Sequence, residues 1–406
     1  MAGICSRTEY DALIVGARVA GAATGMLLAR AGWRVLIVDR EDKIGDTLST
    51  HALMRPAVML LDAWGLLDPL MAAGTPVVRQ SSFHYGPERI AIPIKPVGNA
   101  LGLIAPRRFV LDPLLGEAAT NAGAELKTGI TFLRTLRDPE NRIIGAVLSD
   151  RSGRQQSVRA GIVIGADGRR SRVAADVGAA EIARAETCAA TLFGYFPGIV
   201  NTGYRWYFGA GTAGGAIPTN NGLHCVFAGC QPKHTDQRLK GDPQQAIAAT
   251  LDDLDGELAE HVRRTPPAER PLLFRGAPGH IREATGPGWA LVGDAGYFKD
   301  PATAHGITDA FLDAHRLAGS LVRGLGSAAY RIERDRHAGP LFAITHEIAG
   351  FDQNTQRLKA LHLALNECMK REAEAIAWPA GENDNAFGKA FNENRQRPAR
   401  RRSMLP

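Results

Sequence analysis

The stretch from Asp11 to Arg40, DALIVGARVAGAATGMLLARAGWRVLIVDR, limits what this chain can fold into more than any other. Ala12 to Val15 is a short apolar run suited to a buried parallel strand, and Gly16 to Gly21 is a glycine-bounded turn. Ala20 to Ala31 carries helix formers, and Val35 to Val38 is a second apolar strand ending at Asp39. Together they predict one βαβ unit. A helix that starts straight after a tight turn aims unpaired backbone N–H groups, and the positive end of its dipole, at whatever lies above it; a pyrophosphate suits that position. Asp39 follows Gly21 by 18 residues, near the roughly 20 expected for a carboxylate that accepts from an adenosine ribose. An acceptor there favours an unphosphorylated ribose, hence FAD or NAD.

Gly16 and Gly21 fill the outer places of a G-x-G-x-x-G turn, Val19 and Ala20 lead into the helix, and Arg40 follows the carboxylate. Arg18 stands where the middle glycine usually lets backbone approach phosphate. Either its side chain swings outward over the phosphates, or the dinucleotide sits slightly further off.

A chain of 406 residues has room for two joined domains, or for one large α/β domain with an inserted sheet. With 45% hydrophobic and 22% charged residues it is neither disordered nor fibrous. Most of its +6 charge lies in Arg395, Arg397, Arg400, Arg401 and Arg402, so the rest is near neutral and nucleic-acid binding is not expected. The five cysteines make no C-x-x-C, and Cys225 and Cys230 would point to opposite faces of one strand; they read as reduced thiols in a cytoplasmic protein without a metal site. No signal peptide and no membrane-spanning run is expected.

Beyond Glu41 a polar loop, Gly45 to Thr50, precedes an amphipathic helix expected over Val58 to Leu67. His51 in that loop is a candidate proton donor or a histidine that holds the turn; Arg55 is a candidate pyrophosphate contact or a surface charge. Arg107 and Arg108 precede a helix that runs to Asn121, and an Arg there is a candidate second clamp on phosphate. Arg142 to Ala160 reads as a hairpin, followed by a separate buried strand, Ile162 to Ile164, that delivers Asp167 and Gly168 at its carboxyl end.

From Thr187 to Gly229 the texture changes to aromatic, strand-like runs separated by Gly and Asn turns, as in an inserted antiparallel sheet. Gly209, Gly211 and Gly214 spell a second G-x-G-x-x-G, but another strand follows rather than a helix, so it reads as a turn between strands. Tyr204, Trp206 and Phe208 alternate and share one face; they wall a flat substrate or pack an ordinary core. Further on, Trp289 to Val292 is a strand ending at Gly293-Asp294, Lys299 to Gly306 a loop, and Ile307 to Arg323 a helix with His305 and Gly306 at its amino end. Tyr330 to Ile376 reads as helical.

These three strand-loop elements resemble the fingerprints of the FAD-dependent monooxygenases of the para-hydroxybenzoate hydroxylase type (group A), with their relatives the flavin halogenases and geranylgeranyl reductases. The likeness covers roughly the first 320 residues and rests on Gly16 to Gly21 with Asp39, on Asp167-Gly168, and on Gly293-Asp294 followed by Pro301 and Gly306. It departs at Arg18 and at AGYFKDPATAHGITDA, where such enzymes show A-H-x-x-P-P-x-x-G-x-G-x-N.

The resemblance implies an α/β fold: a Rossmann-like FAD-binding domain in three pieces (1–75, 106–186, 276–328), an inserted antiparallel β-sheet substrate domain (76–105, 187–275), a C-terminal helical region (329–394) and a basic tail (395–406). It further implies that Gly16 to Gly21 hold the pyrophosphate of FAD, Asp39 its ribose and Asp294 its ribityl chain, that Arg108 braces the phosphates, and that Gly306-Ile307 offer backbone N–H groups to the flavin's pyrimidine edge. The implied reaction is reduction by NAD(P)H as a transient co-substrate, or by a separate flavin reductase, then oxygen transfer through a flavin hydroperoxide to an electron-rich substrate. That substrate is expected to be aromatic, with a CoA-linked acid as the other option, bound by a monomer or homodimer. His51, His305 and His224 are candidates for proton handling, with His224 also counted, beside Tyr204, Trp206 and Phe208, toward the substrate site. Halogenation is disfavoured because no W-x-W-x-I-P occurs. A reductase of carbon-carbon double bonds is the alternative, since Tyr204-x-Trp206-x-Phe208 partly matches the Y-x-W-x-F-P of prenyl reductases, with Gly209 in place of proline. A flavin-binding scaffold without turnover is a third reading.

Overall fold

Apolar β-branched runs bounded by glycines make the central strands, because a strand buried on both faces needs no polar alternation. A computed structural model describes residues 4–376 apart from 48, 239, 240 and 353; the arginine-rich tail lies outside the described residues. Its first sheet pairs Glu9–Val15 in parallel with Val35–Val38 on one side and with Gln155–Gly165 on the other. Glu125–Lys127 and Trp289–Leu291 extend it at either end, also in parallel. The helix Val19–Arg30 crosses between the first two strands, its buried face packed on the helix Gly306–Val322.

The hairpin and the strand expected after it are one element. Gln155–Gly165 is a continuous strand of 11 residues whose first half pairs antiparallel with Ile143–Ser149 and whose second half joins the parallel sheet. Nothing breaks it, since no Pro occurs and Gly161 remains extended. The helix expected over Val58 to Leu67 instead spans Arg55–Ala63, with Pro56 in its first turn, where a missing N–H costs nothing. Gly65, at φ 72°, separates it from the short helix Leu67–Ala72.

The second sheet has seven strands among the described residues and draws on distant parts of the chain: Gln80–Tyr85, Glu88–Pro93, Ala190–Phe196, Tyr204–Gly209, Thr212–Pro218, His224–Cys230 and Leu272–Phe274. It is antiparallel except where Tyr204–Gly209 runs parallel to Gln80–Tyr85. One face packs on the helices Pro243–Leu251 and Gly256–Arg264; the other turns toward the first sheet. Gly209 and Gly211 lie at the turn between adjacent antiparallel strands, so the second glycine match is a hairpin. The helices Gly326–Ala349 and Thr355–Ile376 close the outside. Tyr330 and Arg334 anchor the first of them by donating to the carbonyls of Leu291, Gly296 and Arg282. No helix among the described residues is long and apolar enough to cross a membrane.

Candidate functional site

The carboxyl ends of the parallel strands open into one cavity of about 680 Å³ that runs between the two sheets. Its nucleotide end is a turn that only glycine fits. Gly16 has φ 106°, and a Cβ on it would stand 2.3 Å from the carbonyl oxygen of Ala166. A Cβ on Gly21 would stand 1.8 Å from Gly16 O, so Gly21 packs helix on strand and does not line the cavity. Asp39 closes the turn by accepting from Ala17 N at 2.8 Å and from Glu41 N at 2.9 Å, and it lines the cavity together with Arg18, Val19, Ala20 and Arg40.

Arg18 reaches across the turn rather than standing clear of it. Its guanidinium donates to Gly45 O at 3.0 Å and pairs with Asp112 at 3.3 Å. Asp112 is fully buried and also takes a two-pronged bond from Arg108, at 2.7 and 2.8 Å, one helical turn away. Two cations sharing one carboxylate leave a net positive pair at the cavity wall, where a diphosphate's charge would be met. The cradle, the helix start at Val19 and this cation pair fit a dinucleotide.

Asp167 and Gly168 line the cavity, and Asp167 also accepts from Ser171 Oγ and from the backbone of Arg172, which caps the helix Arg172–Val177. Across from them, Asp294, Pro301, Gly306 and Ile307 line the same space. Loss of water and the nearby charge of Asp309 push the Asp294 carboxyl up to about 6, against the pull of Arg108, Lys299 and Arg169. Gly293 stands just behind: its N–H donates to Asp313 at 2.9 Å. Arg55, the first residue of the helix Arg55–Ala63, does not line the cavity.

The far end is an aromatic chamber. Trp206, Phe208, Phe193, Phe227, Phe298 and Phe351 line it, with Leu358 contributed by the C-terminal helix. Tyr204 lies on the same face of its strand but is buried beneath, its hydroxyl donating to Ile104 O at 2.7 Å. His224 is outside. Strand alternation puts His224 on the opposite face from Cys225 and Phe227, against the helices behind the sheet. His305 is also turned away: Nδ1 meets Asp309 at 2.9 Å and Nε2 lies 3.3 Å from Glu372 on the C-terminal helix. Lys299, which does line the cavity, pairs with the same Asp309. Burial works to raise Asp309, but Lys299 and His305 overcome it and hold the carboxyl low.

His51 lies in the chamber wall. It is fully buried, has φ 64°, and its Nε2 stands 2.5 Å from the Tyr195 hydroxyl. Burial, then Arg107 and Arg108, hold its imidazole well below the usual histidine range, so it is uncharged at neutral pH. Arg107 does not reach the cavity; it is 1% exposed, stacks over Tyr195 and pairs with Asp46 and Glu269. Asp112, Tyr195, Lys299 and Phe227 escaped the sequence reading. Only Asp112, four residues after Arg108, had a local signal in its spacing.

A glycine-cradled dinucleotide end that runs into an apolar chamber defines a flavoprotein oxidoreductase. Residues 9–334 match the family described as FAD binding domain, and the chain belongs to that family. It is 27% identical over 337 residues to the digeranylgeranylglycerophospholipid reductase of Methanocella arvoryzae, covering 78% of each chain. It is 26% identical over 382 residues to the menaquinone reductase of Mycolicibacterium smegmatis, covering 88% of this chain and 85% of that protein. PqsL of Pseudomonas aeruginosa, described as a probable FAD-dependent monooxygenase, has the same fold: TM-score 0.74 at 20% identity, over 87% of this chain and 99% of that one. The protein is an FAD-dependent oxidoreductase of the type to which the fingerprints pointed.

Proposed function

We propose that this protein is an FAD-dependent reductase that saturates carbon–carbon double bonds in an apolar, isoprenoid-bearing substrate. The observation that carries the reading is the aromatic wall: Trp206 and Phe208, from the run that partly matches the prenyl-reductase motif, line the same cavity as the glycine turn. The similarity to enzymes named as reductases supports it. It takes the place of the aromatic hydroxylation expected first, for which the support is a shared fold.

When bound, FAD supplies hydride transfer, and NAD(P)H or a separate reductase replenishes it. The chain's own residues hold and shield. Gly16 and the start of the helix Val19–Arg30 would take the pyrophosphate, with Arg18 and Arg108 bracing it. Asp39 would accept from the ribose and Asp294 from the ribityl chain, while the N–H groups at Gly306 and Ile307 would meet the pyrimidine edge, where a helix start stabilises negative charge. The aromatic chamber would exclude water from the bond being reduced.

Anaerobic incubation of the reduced holoenzyme with a geranylgeranyl lipid or menaquinone, read by mass spectrometry, tests the reading. Addition of two hydrogen atoms per double bond is expected. Gain of one oxygen atom, and only when air is admitted, would return the assignment to a monooxygenase.

A further inference from the structure

The wall that carries the reductase reading comes from two sources: the second sheet, and the corner between the helices Gly326–Ala349 and Thr355–Ile376 that faces it. We propose that Phe351, in that corner, is a specificity-determining residue. Its ring is the stop for the substrate's apolar chain, and limits how much of that chain beyond the reacting bond can lie along the sheet. This rests on the reading above, which supplies the chain.

The sheet side of the chamber is uneven. Strand register sets its residues in rows: Phe193, Phe227, Gly215 and Trp206 form one, and Thr191, Gly229, Ala213 and Phe208 the next. The first row is aromatic from side to side, because the Phe227 ring covers Gly215, where a Cβ would meet Phe227 Cζ at 2.4 Å. In the second row, three small residues leave a gap that ends at Phe208. The ring of Phe351 stands over that gap. Its Cζ lies 3.8 Å from the place a Cβ on Gly229 would take, and Phe351, Gly229, Ala213 and Thr191 all line the cavity. A chain following the sheet along the second row therefore meets the ring, with Ile348 and Leu358 lining the cavity beside it.

The backbone shows that the turn itself does not ask for this side chain. Phe351 follows Gly350 at the end of the helix Gly326–Ala349, has φ 56°, and donates its N–H to Ile348 O at 3.2 Å. The left-handed residue just past a helix is usually glycine, which takes that φ without cost; for a bulky residue it is an outlier. Here glycine stands one position early, at φ −70°, where any residue would serve. Strain of this kind persists where the surroundings hold it. Gln231, directly after the strand His224–Cys230, donates through Nε2 to Gly350 O and to Asp352 Oδ1, the latter at 2.9 Å. Arg357 pairs with Glu347 at 2.6 Å and joins the two helices. The corner is thus tied to the strand that carries Gly229, which keeps the ring over the gap.

The test needs no turnover, so its failure is separable from failure of the reductase reading, which stands or falls on the hydrogen count. Oxidised, FAD-loaded protein is titrated with 2-methyl-1,4-naphthoquinone and with the same ring carrying a geranyl or a geranylgeranyl chain, and binding is followed through the flavin spectrum. Two variants accompany it. Phe351→Gly and Phe351→Asn both accept the positive φ and both remove the ring. The native protein should bind the geranyl compound more tightly than the methyl one and gain no more than about twofold from the longer chain. Both variants should bind the geranylgeranyl compound at least roughly tenfold more tightly than the geranyl one, since two further buried CH₂ groups suffice for that. All three proteins should bind the methyl compound alike, which a merely structural role for the ring would not give. The proposal falls if native affinity keeps rising to the longest chain, if either variant keeps the native profile, if the variants alter binding of the methyl compound as much as that of the longest, or if none of the quinones binds.

Discussion

Replacing Asp112 with Ala removes the carboxylate that Arg108 and Arg18 share. Asp112 is fully buried and Arg108 nearly so, with both prongs of their bond shorter than 3 Å. Breaking such a pair by deleting one partner costs about 3–5 kcal/mol, because the other charge stays buried and unmatched. The Arg18 contact is longer and its side chain a third exposed, so it adds less than about 1 kcal/mol. With about 2.1 cal/mol/K of unfolding entropy per residue, a chain of 406 residues shifts by about 1.2 °C per kcal/mol, so the apoprotein should melt roughly 4–6 °C lower. Bound FAD brings a diphosphate, and if Arg108 faces it, that diphosphate becomes the missing partner. The loss measured with saturating FAD should then be about half that of the apoprotein, a thermodynamic coupling readable from two melting curves per variant. Equal losses with and without FAD would show that Arg108 does not meet the phosphates. No loss at all would show that the buried pair contributes nothing.

Gly16→Ala should abolish FAD uptake while the protein remains folded by circular dichroism, since the new Cβ meets the Ala166 carbonyl at 2.3 Å at a φ that costs a side chain about 1–3 kcal/mol; retention of native affinity would contradict the cradle. Burial raises the Asp300 carboxyl to about 7, against the opposing bonds from Ala189 N and Ala302 N. Its folded value lies above its unfolded one, so the stability linked to it is complete below about pH 4 and is lost as pH rises toward 7, at up to about 1.4 kcal/mol per pH unit. Urea unfolding of Asp300→Asn between those limits should show that slope reduced by about one proton; an unchanged slope would refute the assignment.

The nucleotide half was legible because its signals are local: apolar runs, a glycine turn, and a carboxylate at a set spacing, all within Asp11 to Arg40. The face shared by Tyr204, Trp206 and Phe208 followed from alternation for the same reason. Alternation within His224–Cys230 would have turned His224 away once Phe227 was placed in the chamber, but nothing local says which face is the chamber. The pairing of His51 with Tyr195 spans 144 positions and exists only through the docking of a loop on a sheet. The single long strand Gln155–Gly165 was hidden because its two halves serve different partners. His305 looked like a site residue because it begins a helix at the cavity, and only the packing of the C-terminal helix shows that Glu372 waits on its other side.

Titration of the purified protein with FAD, followed by quenching of flavin fluorescence, reads whether separate stretches of chain grip one flavin. One FAD per chain should bind, with the native protein far tighter than Gly16→Ala and with Asp39→Ala and Asp294→Ala each weakened. A protein that takes up no flavin, or whose Asp39 and Asp294 variants bind FAD as the native chain does, would contradict it.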